Sequence, residues 1–136
     1  MEKIEVALTK SGRPALWESG GGRSNTGTAF IIAGPNGEPL KPYYTRTRGH
    51  LSNGHHALVP AIVGGYIVSA DHHRGDFRIE IFEITKIEGK HAFITKINGF
   101  SQGEWDKTLD EKLTAAVEAA RKKAMTYHCR MAVYVA

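Results

Sequence analysis

Hydrophobic side chains recur with a period of two over most of this chain, and with a helical period in one segment that starts at Thr108. A period of two sends alternate side chains to opposite faces of a strand, so the fold must be built on a sheet with one helix added late. Ile4, Val6 and Leu8 alternate with Lys3, Glu5 and Thr9, the pattern of a strand with one buried face. Thr28–Ala33 and Leu40–Thr47 flank a Gly34-Pro35-Asn36-Gly37-Glu38-Pro39 segment, in which Asn36-Gly37 supplies the residues a tight reversal needs; the spacing predicts a hairpin. Ala57–Val63 and Tyr66–Ala70 are separated by Gly64-Gly65, a turn or bulge signal. Phe77–Ile87 and His91–Ile97 are joined by Glu88-Gly89-Lys90, a second hairpin. Within the first of these, Phe77, Ile79 and Ile81 share one phase while Phe82 and Ile84 take the other, which requires either two partly buried faces or a bulge.

From Thr108 the apolar residues Leu109, Leu113, Val117, Ala120 and Ala124 follow a helical spacing, and Thr108 to Glu111 fits a capping box. Glu118 and Lys122 form a favourably oriented pair, and Arg121, Lys122 and Lys123 complement the negative helix end. Alternation resumes over Tyr127, Cys129, Met131, Val133 and Val135, predicting a final strand after the helix. The expected class is α+β: a mostly antiparallel sheet, curled toward a barrel, with one C-terminal amphipathic helix followed by a final strand. The 136 residues show no repeats or linkers and read as a single β-rich globular domain over 1–136.

Composition narrows the function classes. A hydrophobic share of 41% with 9% aromatics supports a core and argues against global disorder. No apolar run reaches the roughly 18 residues of a membrane span, and the charged, alternating N-terminus lacks a signal-peptide pattern, so the expectation is a cytoplasmic protein with no membrane partner. The single cysteine, Cys129, excludes an internal disulfide and a Cys-based zinc site. The net charge of +4 is unevenly spread: Lys10–Gly75 holds seven Lys/Arg against three Asp/Glu, twelve of the fifteen glycines and five of the seven histidines. Chemistry is therefore expected in Glu18–Asp76.

Three constellations stand out there. Glu18-Ser19-Gly20-Gly21-Gly22-Arg23-Ser24-Asn25-Thr26-Gly27 is glycine-rich with a cation and polar side chains, so its backbone N–H groups could converge on an anion. It lacks the spacing of a P-loop, and the competing reading is a surface loop between strands. Lys41-Pro42-Tyr43-Tyr44-Thr45-Arg46-Thr47-Arg48-Gly49-His50, if extended, projects Tyr44, Arg46, Arg48 and His50 from one face, which offers guanidinium groups to phosphates and a ring for stacking. Its competing reading is a solvated strand face. The third is the histidine set. Asp71 and His73 share one side of a strand, and with His50 or His55 they would make a mixed nitrogen and oxygen ligand set for a divalent metal, although no recognised ligand spacing occurs. Asp71 or Asp76 could instead orient His73 for acid–base work, with a nucleophile from Ser19, Ser24, Ser52 or Ser69. None of these serines sits in a nucleophile elbow, and Cys129 reads as core. Trp17 and Trp105 are by default core anchors, with Trp17 also positioned to wall a pocket beside the glycines.

Two functional expectations follow. The first is a small basic binding module for a phosphate-bearing ligand, RNA or single-stranded nucleic acid foremost, using Trp17, Gly21, Gly22, Arg23, Ser24, Asn25, Tyr44, Arg46, Arg48 and His50. The second is an enzyme acting on a small anionic substrate, either metal-assisted through His50, His55, Asp71 and His73 or by His73/Asp71/Asp76 acid–base chemistry. A divalent metal belongs to the second reading alone. Homo-oligomerisation through a sheet edge is a third, structural alternative.

Overall fold

The computed structural model describes residues 2–23, 26–47, 55–73, 76–101 and 110–124. Among them are nine strands: β1 Glu2–Glu5, β2 Ala7–Leu8, β3 Pro14–Arg23, β4 Thr26–Ala33, β5 Tyr44–Thr47, β6 His55–Pro60, β7 Tyr66–His73, β8 Asp76–Glu88 and β9 His91–Ser101. A 3-10 turn over Glu111–Leu113 leads into the helix α1, Thr114–Ala124. The strands form one antiparallel sheet in the order β1-β9-β8-β7-β4-β3-β6-β5, with β2 also paired to β3. The N-terminal segment therefore touches two distant parts of the path: β1 lies on β9, and two residues later β2 lies on β3. Val6, between them, is 6% exposed and donates its N–H to the Lys90 carbonyl at 2.8 Å. This link holds the sheet curled as a half-barrel with the helix added near the C-terminus.

Two cores result. One gathers Val6, Leu16, Ile32, Val59, Ile67, Ile84 and Ile94 from strands along the whole sheet. The other packs Ile31, Tyr66, Val68, Phe77, Ile79 and Ile81 of β4, β7 and β8 against Leu113, Ala116, Val117, Ala120 and Ala124. The helical spacing from Leu113 onward thus marks a buried stripe, and its small residues let α1 lie close to the sheet. The double phase of β8 has both of its anticipated causes. Phe77, Ile79 and Ile81 face the helix core while Ile84 faces the other, with Phe82 packed against it, and irregularities in the β8–β9 ladder fall between Ile81 and Phe82 and between Ile84 and Lys86.

Several local expectations are corrected. Leu8 is 42% exposed, because the N-terminal strand breaks at Val6 and changes partner. The predicted hairpin between Thr28–Ala33 and Leu40–Thr47 does not form. The reversal itself occurs, with Gly37 at φ +76° donating to the Gly34 carbonyl, yet pairing stops at a single Ala33–Pro39 bridge. Pro39 and Pro42 cannot donate to a ladder, and β5 instead pairs with β6. A Cβ at Gly37 would also run into the Lys112 carbonyl, so this turn seats against the start of the helical segment. The helical segment is capped by Asp110, whose carboxylate accepts from the Lys112 N–H at 3.2 Å; Thr108 and Leu109 lie outside the described residues. Glu118 pairs with Arg121 at 3.4 Å, and this i,i+3 contact takes the place of the expected pair with Lys122. The final strand expected over Tyr127–Val135, with Cys129, and Trp105 also lie outside the described residues. No helix among the described residues is long and apolar enough to cross a membrane.

Candidate functional site

The glycine-rich segment is strand, not loop. Gly20, Gly21, Gly22 and Arg23 pair with Ala29, Thr28, Gly27 and Thr26, so β3 and β4 form a long hairpin, with Ser24 and Asn25 outside the described residues. The glycines with positive φ among the described residues are Gly12, Gly37, Gly64 and Gly89. Gly21 and Gly22 therefore do not form the alternating-handed concavity through which consecutive backbone N–H groups hold an anion.

Trp17 departs from the core default. It is 39% exposed, and its ring stands edge-on to Tyr44 at 6.1 Å and to His56 at 6.5 Å between centroids. The ladder explains this meeting. Tyr44, Leu58 and Trp17 form one cross-strand row over β5, β6 and β3, and His56, Ser19 and Phe30 form the next. Residues paired across strands, and those two apart along a strand, share a face. Tyr44 is 55% and Phe30 40% exposed, so three large rings belonging to neither core share an open sheet face. Edge-on contacts fix the Trp17 ring while leaving aromatic surface in solvent. Arg46 stands opposite His56 in the β5–β6 ladder, next to this row, whereas Arg48 and His50 lie outside the described residues.

The sequence pattern named Trp17 and Tyr44 but missed Phe30 and His56. Phe30 sits in an apolar run, Ala29-Phe30-Ile31-Ile32-Ala33, where no phase marks which residue is exposed. His56 follows His55 in the histidine-rich stretch, and its place opposite Arg46 depends on strand partners that are not local.

The acid–base residues are partly brought together. His73 and Asp76 are direct cross-strand partners at the end of the β7–β8 ladder, and both are exposed. Asp71, two residues back, accepts a 3.1 Å hydrogen bond from the Thr28 hydroxyl. His72 stacks on Phe77 with centroids 4.8 Å apart. Ser19 and Ser69 flank Phe30 in the same row, and Ser52 lies outside the described residues. His55 pairs with Gly20 on β6, and β3 and β4 lie between that strand and β7, so about 14 Å of sheet separates the strands of His55 and His73. No group of three potential metal ligands occurs among the described residues.

A second feature was not anticipated from the sequence. Where β3 and β4 part company, a cavity of about 310 Å³ opens under α1, with Glu18 and Lys123 as its charged lining among the described residues. Glu18 accepts the Ile32 N–H at 2.9 Å, substituting a side-chain oxygen for the missing ladder partner. No local pattern around Glu18 marks it in the sequence.

Comparison with protein-family models, with curated proteins and with solved structures yields no match to this chain.

Proposed function

We propose that the chain is a small basic binding module for a phosphate-bearing ligand, RNA or another single-stranded nucleic acid, acting in the cytoplasm. The observation that carries this reading is the open face bearing Trp17, Tyr44 and Phe30, with Trp17 held edge-on against Tyr44 and His56. Bases stack on such rings without regard to sequence, at about 1–3 kcal/mol per base. In this reading Trp17 and Tyr44 take successive bases, Phe30 extends the platform, and Arg23, Arg46 and Arg48 hold phosphates. Ser24, Asn25 and His50 add hydrogen bonds, while Gly21 and Gly22, lacking side chains, leave the strand next to the platform uncrowded. The excess of Lys and Arg over Asp and Glu in the stretch that carries these residues favours an anionic partner.

The test is fluorescence anisotropy with a labelled single-stranded RNA, repeated with DNA of the same sequence. Trp17→Ala and Tyr44→Ala should each lower affinity by about tenfold, within the range of one lost stacking contact. Joint replacement of Arg23, Arg46 and Arg48 by Ala should flatten the salt dependence, whose log–log slope changes by about 0.7 per lost phosphate contact. Affinity unchanged in the aromatic variants refutes the reading.

A further inference from the structure

The open aromatic face carries a hydroxyl among its rings. Ser19 lies two residues along β3 from Trp17, about 6.8 Å further on the same face. In the ladder it stands opposite Phe30 of β4 on one side and His56 of β6 on the other. Three ring-bearing residues therefore surround it, and the next position on that face of β3 is Gly21, which has no side chain to cover it. Ser19 is half-buried. The Thr28 hydroxyl is held by Asp71 at 3.1 Å, whereas the Ser19 hydroxyl has no such partner among the described residues. Beyond Phe30 the same cross-strand row continues to Ser69 of β7 and Glu80 of β8. Ser69 thus has a ring on one side only; on the other is a carboxylate already engaged by Lys96 at 3.0 Å.

We propose that this face selects RNA over single-stranded DNA by reading a ribose 2′-hydroxyl with Ser19, an inference that rests on the nucleic-acid reading of the same face. The rings supply no such choice, since every base has a face to stack. Discrimination therefore falls to the polar position between them. A base stacked on Trp17 or Phe30 carries its sugar one glycosidic bond away, over the ground between the rings, and Ser19 stands there. A serine hydroxyl donates and accepts, and so does the 2′-hydroxyl, so the two can bond in either sense. Deoxyribose offers only C–H at that position. Closing the stack over Ser19 then leaves its hydroxyl withdrawn from water and unpaired, which is why a site that bonds a hydroxyl rejects the analogue lacking one. Ser69 is the internal contrast: it has the same side chain and shares Phe30, but lies outside the ground between two rings.

The experiment compares a labelled oligouridine with the matching oligodeoxyuridine, which differ only in their 2′-hydroxyls, by fluorescence anisotropy. The unmodified chain should bind the RNA about fivefold more tightly, within the range of one hydrogen bond. Ser19→Ala should lower RNA affinity to the DNA level and leave DNA affinity unchanged. Ser19→Thr, which keeps a hydroxyl on a strand-favouring residue, should retain the preference, and so should Ser69→Ala. Should Ser19→Ala not fold, 2′-O-methyl oligouridine on the unmodified chain decides the matter: it keeps the sugar pucker of RNA without the hydroxyl donor, and should bind no more tightly than the DNA. Equal affinity for RNA and DNA, a preference that survives Ser19→Ala or vanishes in Ser69→Ala, or 2′-O-methyl RNA binding as RNA does overturns the proposal. These outcomes leave the aromatic platform standing if Trp17→Ala weakens both nucleic acids. Binding of neither nucleic acid overturns both.

Discussion

Two sets of aromatic side chains divide this molecule. Tyr66 and Phe77, each 7% exposed, lie in the ladder beneath the helical segment, and each has a cation from that segment over its ring: Lys112 Nζ at 5.0 Å from Tyr66, and Arg121 Cζ at 4.8 Å from Phe77. Trp17, Tyr44 and Phe30 lie in the same sheet, belong to neither core and remain 39–55% exposed. Residue type does not distinguish the sets, since both are large rings at strand positions. What separates them is where the helix lands. Over β4 and β7 it removes the rings of one face from water, and there aromatic area stabilises the fold. On β3 and β5, and on the face of β4 that carries Phe30, the rings remain exposed to solvent.

The sharpest way to break this contrast is to remove one ring from each set. Phe77→Ala should lower unfolding free energy by about 3–5 kcal/mol, read from urea midpoints. Trp17→Ala should cost about 1 kcal/mol or less, as a largely exposed contact, with its main effect on binding. Equal losses would mean that the exposed rings are structural. A smaller effect tests how the covered region is held in place. Gly37→Ala should cost about 2 kcal/mol, because its φ is +76° and a Cβ there meets the Lys112 carbonyl. Anisotropy with the variant should leave the aromatic face unaffected.

Glu18 lies at the border of the two regions. Glu18→Ala removes the acceptor of a part-buried Ile32 N–H and should cost about 1–3 kcal/mol, while Glu18→Gln keeps an acceptor and should recover most of it in the same measurement. The smallest effect is a matter of pH. Hydrogen bonding to the Tyr66 side chain raises the Lys112 pKa above its ordinary 10.5, with attraction to Tyr66, Asp110 and Glu83 adding to this. A raised pKa contributes stability that is complete below the unfolded value and is lost as pH rises through the folded one. Lys112→Met should therefore flatten the alkaline fall of the melting temperature; an unchanged slope would remove Lys112 from the account of how the ring set is covered.

Several elements were legible because their signals are local. The β8–β9 hairpin follows from two alternating runs around Glu88-Gly89-Lys90, and Leu113, Val117, Ala120 and Ala124 mark the buried stripe of the helical segment before any partner is known. The site was only partly so. Tyr44 and Trp17 could be named as candidates, but they lie 27 residues apart and meet only because both strands pair with β6. The same non-locality hid the cavity, since nothing near Glu18 in the chain announces that β4 leaves β3 beyond Phe30.

Alternation and the change of period at the end of the chain were enough, by themselves, to settle an α+β class with a mostly antiparallel sheet, because side-chain direction in strands and helices is a property of the local backbone. Tertiary structure alone decided three things: that the reversal at Gly37 ends in a single bridge, that the glycine-rich segment zips into a hairpin, and that one aromatic set is covered while the other is open. Each depends on which strand wins a given edge, and that competition is set by hydrogen-bond partners and buried area contributed by residues distant in the chain.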